Sequence, residues 1–144
     1  MGLLRLAEVP PSTCKPDASV MDAVRLMNDR GIGALAVVEG KKVVGIFSER
    51  DLMRRVVFPG LDPSRTKIAD VMSRDVEKAL DSTSVRGAVA MMRARKIRHL
   101  PILDDHGELL GVVALRFLVY DIVDDLESQA TSLENYSAAD GPGG

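Results

Sequence analysis

The chain has no tryptophan and only one cysteine, Cys14, among 144 residues. A lone thiol forms no internal disulfide and cannot build a cysteine-rich zinc site. Aromatic residues make up 3% of the chain, too few for the stacking platforms that bind single-stranded nucleic acid. Neither sign of charge dominates. Nineteen Lys and Arg against 21 Asp and Glu leave a net charge of −2, so no basic field holds a polyanion non-specifically. The longest apolar runs fall far short of the roughly 20 residues that span a bilayer. The opening "MGLLRLAEVPPS" is too weakly apolar for a secretory signal. Gly2 would suit myristoylation, but Leu6 stands where that signal needs Ser or Thr. These absences predict a cytoplasmic protein with no nucleic acid and no membrane among its partners.

Catalytic signatures are missing too. No Gly-x-Ser-x-Gly, His-Glu-x-x-His, Walker loop or Gly-x-Gly-x-x-Gly occurs. The two histidines, His99 and His106, are badly spaced for a metal site, and His106 falls in a turn. The acid pairs Asp104–Asp105 and Asp124–Asp125 fall in a turn and on a polar helix face, where solvation accounts for them. No catalysis, metal or required cofactor is expected.

What the chain has is a duplication. Residues 19–38, "SVMDAVRLMNDRGIGALAVV", align without a gap on residues 84–103, "SVRGAVAMMRARKIRHLPIL", with eight of twenty positions identical. One extra residue in the second turn then sets "VVGIFSERDL" over "LLGVVALRFL". Each copy opens on a serine suited to cap a helix, Ser19 or Ser84, and Asp22 completes a capping box in the first. Apolar residues follow at Val20, Ala23, Val24 and Met27, and at Val85, Ala88, Val89 and Met92. That spacing lines one helical face. Two short Val/Ile/Leu runs around a Gly-containing turn then predict a hairpin in each copy: 34–38 with 43–47, and 100–103 with 109–113. A second helix is expected over 49–57 and 115–126, and a short strand before each copy near 13–15 and 76–80. Cys14, beside the first strand, is expected to pack; Met27, Met91 and Met92 suit core or interface positions. Residues 59–67, with Pro59, Gly60 and Pro63, form the linker between a first repeat at 1–58 and a second at 68–127. Residues 128–144 form a tail, partly helical and then disordered in its small, polar end. Neither ~60-residue copy has enough core to stand alone, so the two are expected to pack about a pseudo-two-fold axis.

This twofold pattern, carried by "SVMDAVRLM…IGALAVVEGKKVVGIFSERDL" and "VMSRDV…SVRGAVAMMRARKIRHLPILDDHGELLGVV", resembles the cystathionine-β-synthase (CBS) domain family over about residues 3–125. The form it resembles is the stand-alone tandem pair. The resemblance implies an α/β (α+β) fold of two β-α-β-β-α repeats packed sheet to sheet, with two clefts between them. It also implies an adenosine-containing ligand, such as AMP, ADP, ATP, S-adenosylmethionine or NAD, held for regulation rather than catalysis.

The stretch "GIFSERD" (45–51) carries the sharpest expectation. Ser48 and Asp51 fit a capping box, which alone would account for them. A helix N-terminus also suits phosphate, and an ionised Asp accepts from the two hydroxyls of a ribose. By the resemblance, Asp51 holds the ribose, while Ser48, Arg50, Arg98 and His99 face the phosphates. Ile46, Val76 and Ile97 would then enclose the adenine. The second copy has Ala114 and Phe117 at the Ser48 and Asp51 positions, and the first has Gly33 and Ala34 at those of Arg98 and His99. One competent cleft per chain follows. Arg93, Arg95 and Lys96 are expected on a solvated face.

The apolar second helix of copy two, with Leu133 seven residues after Leu126, implies a homodimer. The expected function is a regulatory sensor with an adenine nucleotide as ligand, signalling to an unidentified downstream enzyme or transporter. The rival is a ligand-free dimerisation scaffold.

Overall fold

In a computed structural model, residues 2–139 are described, with side chains through Asn135. The final residues 140–144 of the expected disordered tail lie outside them. Among the described residues six strands and four helices follow the expected order, and a fifth helix, α3, is added that the sequence pattern did not indicate: β1 (Thr13–Cys14), α1 (Val20–Arg30), β2 (Ala34–Glu39), β3 (Lys42–Ser48), α2 (Glu49–Asp51), α3 (Ile68–Val71), β4 (Ala79–Leu80), α4 (Val85–Arg95), β5 (His99–Leu103), β6 (Leu109–Ala114) and α5 (Leu115–Ala139). A 3-10 turn, Leu3–Leu6, precedes β1. Two three-stranded sheets form, β1-β2-β3 and β4-β5-β6. In each the first pair is parallel and the hairpin antiparallel.

Local chemistry explains the elements. Ser19 and Ser84 each accept an N–H three residues on, from Asp22 at 3.0 Å and Gly87 at 2.9 Å, satisfying a donor the helix start leaves free. The helices end on a left-handed residue, Gly31 (φ 63°) in α1 but Lys96 (φ 55°) in α4. Glycine takes that conformation without strain and lysine does not.

Two helices depart from expectation. The second helix of copy one is a single α-turn that widens into a π-helix over Leu52–Val57. In that wide turn Val56 is fully buried, while Arg55 Nη1 donates to the carbonyls of Met72 (2.8 Å) and Val71 (3.3 Å). Its counterpart α5 runs past the expected end at 126 to Ala139, because no proline or glycine interrupts it before residue 141.

The halves exchange their lead-in segments. Shifted by 65 residues (Ser19 onto Ser84), Leu3 matches Ile68 and Glu8 matches Ser73. Ile68, Val71 and Met72 pack into the first core with Val20, Leu35, Phe47 and Val56. Leu3 packs into the second with Met92, Leu100, Ile102 and Leu118. Ser73 pairs in antiparallel fashion with Ile46 at the edge of β3, and Glu8 with Val112 at the edge of β6. Gly45 and Gly111 precede those partners. A Cβ on Gly45 would lie 2.6 Å from Met72 Sδ and 2.9 Å from the Ser73 carbonyl oxygen; one on Gly111 would lie 3.0 Å from the Glu8 carbonyl oxygen. Glycine recurs at this place because the exchanged strand has to approach there. Cys14 packs against the first core, where burial pushes its thiol up to about 11.

Candidate functional site

The exchange brings the end of β3 and the start of α2 against the turn that follows α3. Between them and the α4–β5 junction lies a cleft of about 410 Å³, within the size range of small-ligand sites. Its walls include all eight residues singled out from the sequence: Ile46, Ser48, Arg50 and Asp51 from the first half, Val76, Ile97, Arg98 and His99 from the second.

Asp51 is one of two buried polar residues among those described, 6% exposed. Its Oδ2 accepts the Ser48 N–H at 3.0 Å and the Ser48 hydroxyl at 3.1 Å. The Asp51 N–H returns a bond to Ser48 Oγ at 3.3 Å, closing the capping box. Oδ1 accepts the Ser73 hydroxyl at 2.9 Å, and Arg55 Nε lies 3.8 Å away. A carboxylate offers about four acceptor positions. Three are occupied here, which leaves one open.

The cationic side is built by β5 and the residues before it. Arg98 is exposed and lines the cleft. His99 is half-buried, and its pKa is lowered to about 4 by burial first and then by the nearby charges of Arg116 and Arg98. It is therefore neutral near pH 7. Arg50 clasps the opposite half, donating from Nη1 to the Lys96 carbonyl at 2.7 Å.

Several wall residues carried no signal in the sequence. Ser73 reaches Asp51 only through the exchanged pairing, which periodicity does not reveal. Arg54 and Met53 come with the π-turn. Arg95, expected on a solvated face, lines the cleft and bridges Asp75 at 2.5 Å and Glu77 at 3.4 Å. Arg93 and Lys96 are exposed as expected. The charged walls are Arg50, Arg54, Arg55, Arg95 and Arg98 against Glu49, Asp51, Asp75 and Glu77, a formal balance of +1.

Two larger hollows differ in chemistry. One of about 700 Å³ at the start of α4 is edged by Asp81, Asp104 and Asp105. The other, about 800 Å³, is a groove between α1 and α5 bounded by Val24, Met27, Leu52, Leu115, Val119 and Tyr120. Ala114 borders this groove. Phe117, at the place of Asp51, stands 42% exposed, with the Arg116 guanidinium carbon 5.0 Å from its ring centre. His106 lies exposed in the β5–β6 turn, where its carbonyl accepts from Lys42 Nζ. Among the described residues no cluster of His, Cys, Asp and Glu could hold a metal, and no helix is long and apolar enough to cross a membrane.

Comparison with known proteins agrees with this architecture. The chain is 31% identical over 128 residues to the mitochondrial CBS domain-containing protein CBSX3 of Arabidopsis thaliana, an alignment covering 85% of this chain and 62% of that one. It therefore spans about three fifths of that relative. The structure of a CBS-domain protein from Burkholderia ambifaria superposes with a TM-score of 0.76 at 36% identity, covering 80% of this chain and 84% of that one. The CBS domain pair of protein MJ0100, solved with 5′-methylthioadenosine and S-adenosyl-L-methionine, has the same fold, with a TM-score of 0.77 at 21% identity over 87% of this chain and 98% of that one. The CBS-domain family model matches residues 6–57 and 68–116. The chain belongs to the CBS-domain family, as a tandem pair.

Proposed function

We propose that this CBS pair is a regulatory module that binds one adenosine-containing ligand per chain in the cleft between Asp51 and Arg98. The reading rests on one observation: a carboxylate from one half, Asp51, and an arginine from the other, Arg98, line a single cleft of about 410 Å³. One ribose hydroxyl donates to the open acceptor position of Asp51. The other displaces the Ser73 hydroxyl or bonds to it. Ile46, Val76 and Ile97 supply apolar walls for adenine. Phosphate lies toward Arg98, Arg50 and His99, with Ser48 at the helix start. The positive balance of the walls favours AMP, ADP or ATP over S-adenosylmethionine, whose sulfonium would meet like charge. The ligand of MJ0100 supports the adenosyl class at the level of the fold alone.

Because the cleft draws on both halves, a ligand that fits one relative arrangement better shifts the pair toward it. A homodimer would carry that shift to a downstream enzyme or transporter, and the module itself performs no catalysis. A second reading, a scaffold that binds no nucleotide, draws on the bonds Asp51 already makes to Ser48 and Ser73. Titration calorimetry with AMP, ADP, ATP, NAD and S-adenosylmethionine separates the two. The sensor binds at least one phosphate-bearing member with one site per chain, and Arg98→Ala weakens ATP more than adenosine. Absence of heat with the whole panel would leave the scaffold.

A further inference from the structure

Where the duplicated copies align Ser48 with Ala114, they also align Arg55 with Asp121. The two side chains are opposite in charge, yet they do the same work. Asp121, on α5, accepts from Arg5 Nη1 at 2.7 Å and Nη2 at 3.0 Å. Arg5 belongs to the exchanged segment Leu3–Leu6, whose Leu3 is buried in the second core. Arg55, in the π-turn, donates from Nη1 to the carbonyls of Met72 at 2.8 Å and Val71 at 3.3 Å. Those carbonyls lie at the end of α3, the segment exchanged into the first core, where a helix leaves acceptors without internal partners. Each closing helix therefore grips an exchanged segment from the same position.

Of the two grips, the first reaches the cleft. Arg55 Nε lies 3.8 Å from Asp51 Oδ1, the oxygen that accepts the Ser73 hydroxyl at 2.9 Å. Ser73 directly follows the two carbonyls that Arg55 holds, and Arg55, Asp51 and Ser73 all line the cleft. In the second half Phe117 stands in the place of Asp51, and Glu8 in that of Ser73. The Glu8 carboxylate is turned to Ser12 instead, accepting its N–H and its hydroxyl at 2.8 Å each. The same grip thus exists twice, once beside a carboxylate in the cleft and once without it.

We infer that Arg55 is a positioning residue of the nucleotide cleft. It fixes the Val71–Ser73 turn against Asp51 and so sets the geometry in which Asp51 meets the ribose hydroxyls. The grip needs no ligand; its effect on ribose recognition rests on the function proposed above. A guanidinium suits the task because its donors are set in one rigid plane, so a single side chain faces a carboxylate and two carbonyls. The π-turn agrees with this role. Such turns gather at functional sites, and this one carries Arg55 to both partners. Without the grip the turn moves relative to Asp51, while Arg98, which takes no part in it, still faces the phosphates.

Arg55→Gln tests this in the full chain, with Asp121→Asn as the control at the equivalent place. Amide hydrogen exchange followed by NMR reads each grip without ligand, because exchange reports local opening. Ser73 and Ile46 each donate an N–H to the other's carbonyl at 2.9 Å, and Glu8 and Val112 do so at 3.0 and 3.4 Å. Arg55→Gln should speed exchange at Ser73 and Ile46 at least fivefold and leave Glu8 and Val112 within twofold. Asp121→Asn should do the reverse. Calorimetry with ADP and 2′,3′-dideoxy-ADP then reads the ribose. Arg55→Gln should weaken ADP about fivefold and the dideoxy analogue less than twofold, and Asp121→Asn should change neither. A merely structural loosening would weaken both nucleotides alike. Equal exchange at the four amides would overturn the grip, and equal weakening of the two nucleotides, or none, would overturn the positioning role. A wild-type chain that bound neither nucleotide would refute the function proposed above and the positioning role with it, while the exchange pattern would still decide the grip.

Discussion

Replacing Asp51 separates its work as a cap from its proposed work as a ligand residue. Asp51→Ala removes the capping box, at about 1 kcal/mol. It also leaves the Ser48 N–H and the Ser73 hydroxyl, now 3.0 and 2.9 Å from carboxylate oxygens, without partners in a partly buried place, at roughly 1 kcal/mol or less each. The expected loss is about 2 kcal/mol, a sizeable share of a typical stability of ~5–15 kcal/mol. At this chain length that lowers the thermal midpoint by roughly 6–8 °C. Asp51→Asn keeps one oxygen as acceptor and should cost about half as much. Yet it turns the proposed charge-assisted ribose bond into a neutral one, a loss of about 1–1.5 kcal/mol, or roughly five- to tenfold in affinity.

Ser73→Ala supplies the contrast. It should cost about 1 kcal/mol of stability, because a bond to a charged acceptor is lost. It also frees Oδ1, so ligand affinity should hold or rise. Urea melts followed by circular dichroism give the stability, and calorimetry with ADP gives the affinity. Were Asp51→Asn to lose stability while binding ADP as the wild type does, Asp51 would be a cap only and the ribose assignment would be refuted.

Three further substitutions test the physical account. Lys96→Gly relieves the left-handed lysine that ends α4 and should raise urea stability by about 0.5–1 kcal/mol; a loss would show that the Lys96 side chain matters more than its backbone. Gly45→Ala forces a methyl against Met72 and the Ser73 carbonyl and should cost ~1–3 kcal/mol by overpacking, measured the same way; a neutral result would refute the tight approach of the exchanged strand. His99, whose pKa falls from 6.5 to about 4 on folding, binds fewer protons folded than unfolded between those values. Stability is then full above pH 6.5 and falls as the pH drops toward 4, by on the order of 3 kcal/mol. His99→Asn should remove that part of the slope in urea melts between pH 4 and 7, and an unchanged slope would assign it to carboxylates.

The fold was largely legible because duplication doubled each local signal. Ser19 and Ser84 as caps, the apolar stripes of α1 and α4 and the two hairpins could each be checked against their counterpart. What the sequence could not show was the exchange of Leu3–Leu6 and Ile68–Val71. Their apolar residues suit either core equally well, so pattern alone leaves the choice open. Ser73 was hidden for the same reason, since its partner Asp51 is distant in the chain and joined to it only by that crossing. The π-turn was hidden too. Glu49–Val57 has ordinary helical composition, and the wide turn coincides with the bonds from Arg55 to the Val71 and Met72 carbonyls.

Duplication also explains why the module can be asymmetric without ceasing to fold. The glycine opposite each exchanged strand, the capping serines and the two cores are kept in both halves because each half buries the other's lead-in segment. The positions that face the cleft carry no such shared load. Asp51 is buried in a bonded network while Phe117, its counterpart, is partly exposed and leans on Arg116. Gly33 can leave room beside His99, where a Cβ would come within 3.2 Å of the imidazole. The same freedom let the closing helices diverge in charge, basic in the first half and acidic in the second. A chain whose halves were equal at those places would have two equivalent clefts. Here a carboxylate from one half and an arginine from the other line one cleft, the place the proposed nucleotide would take.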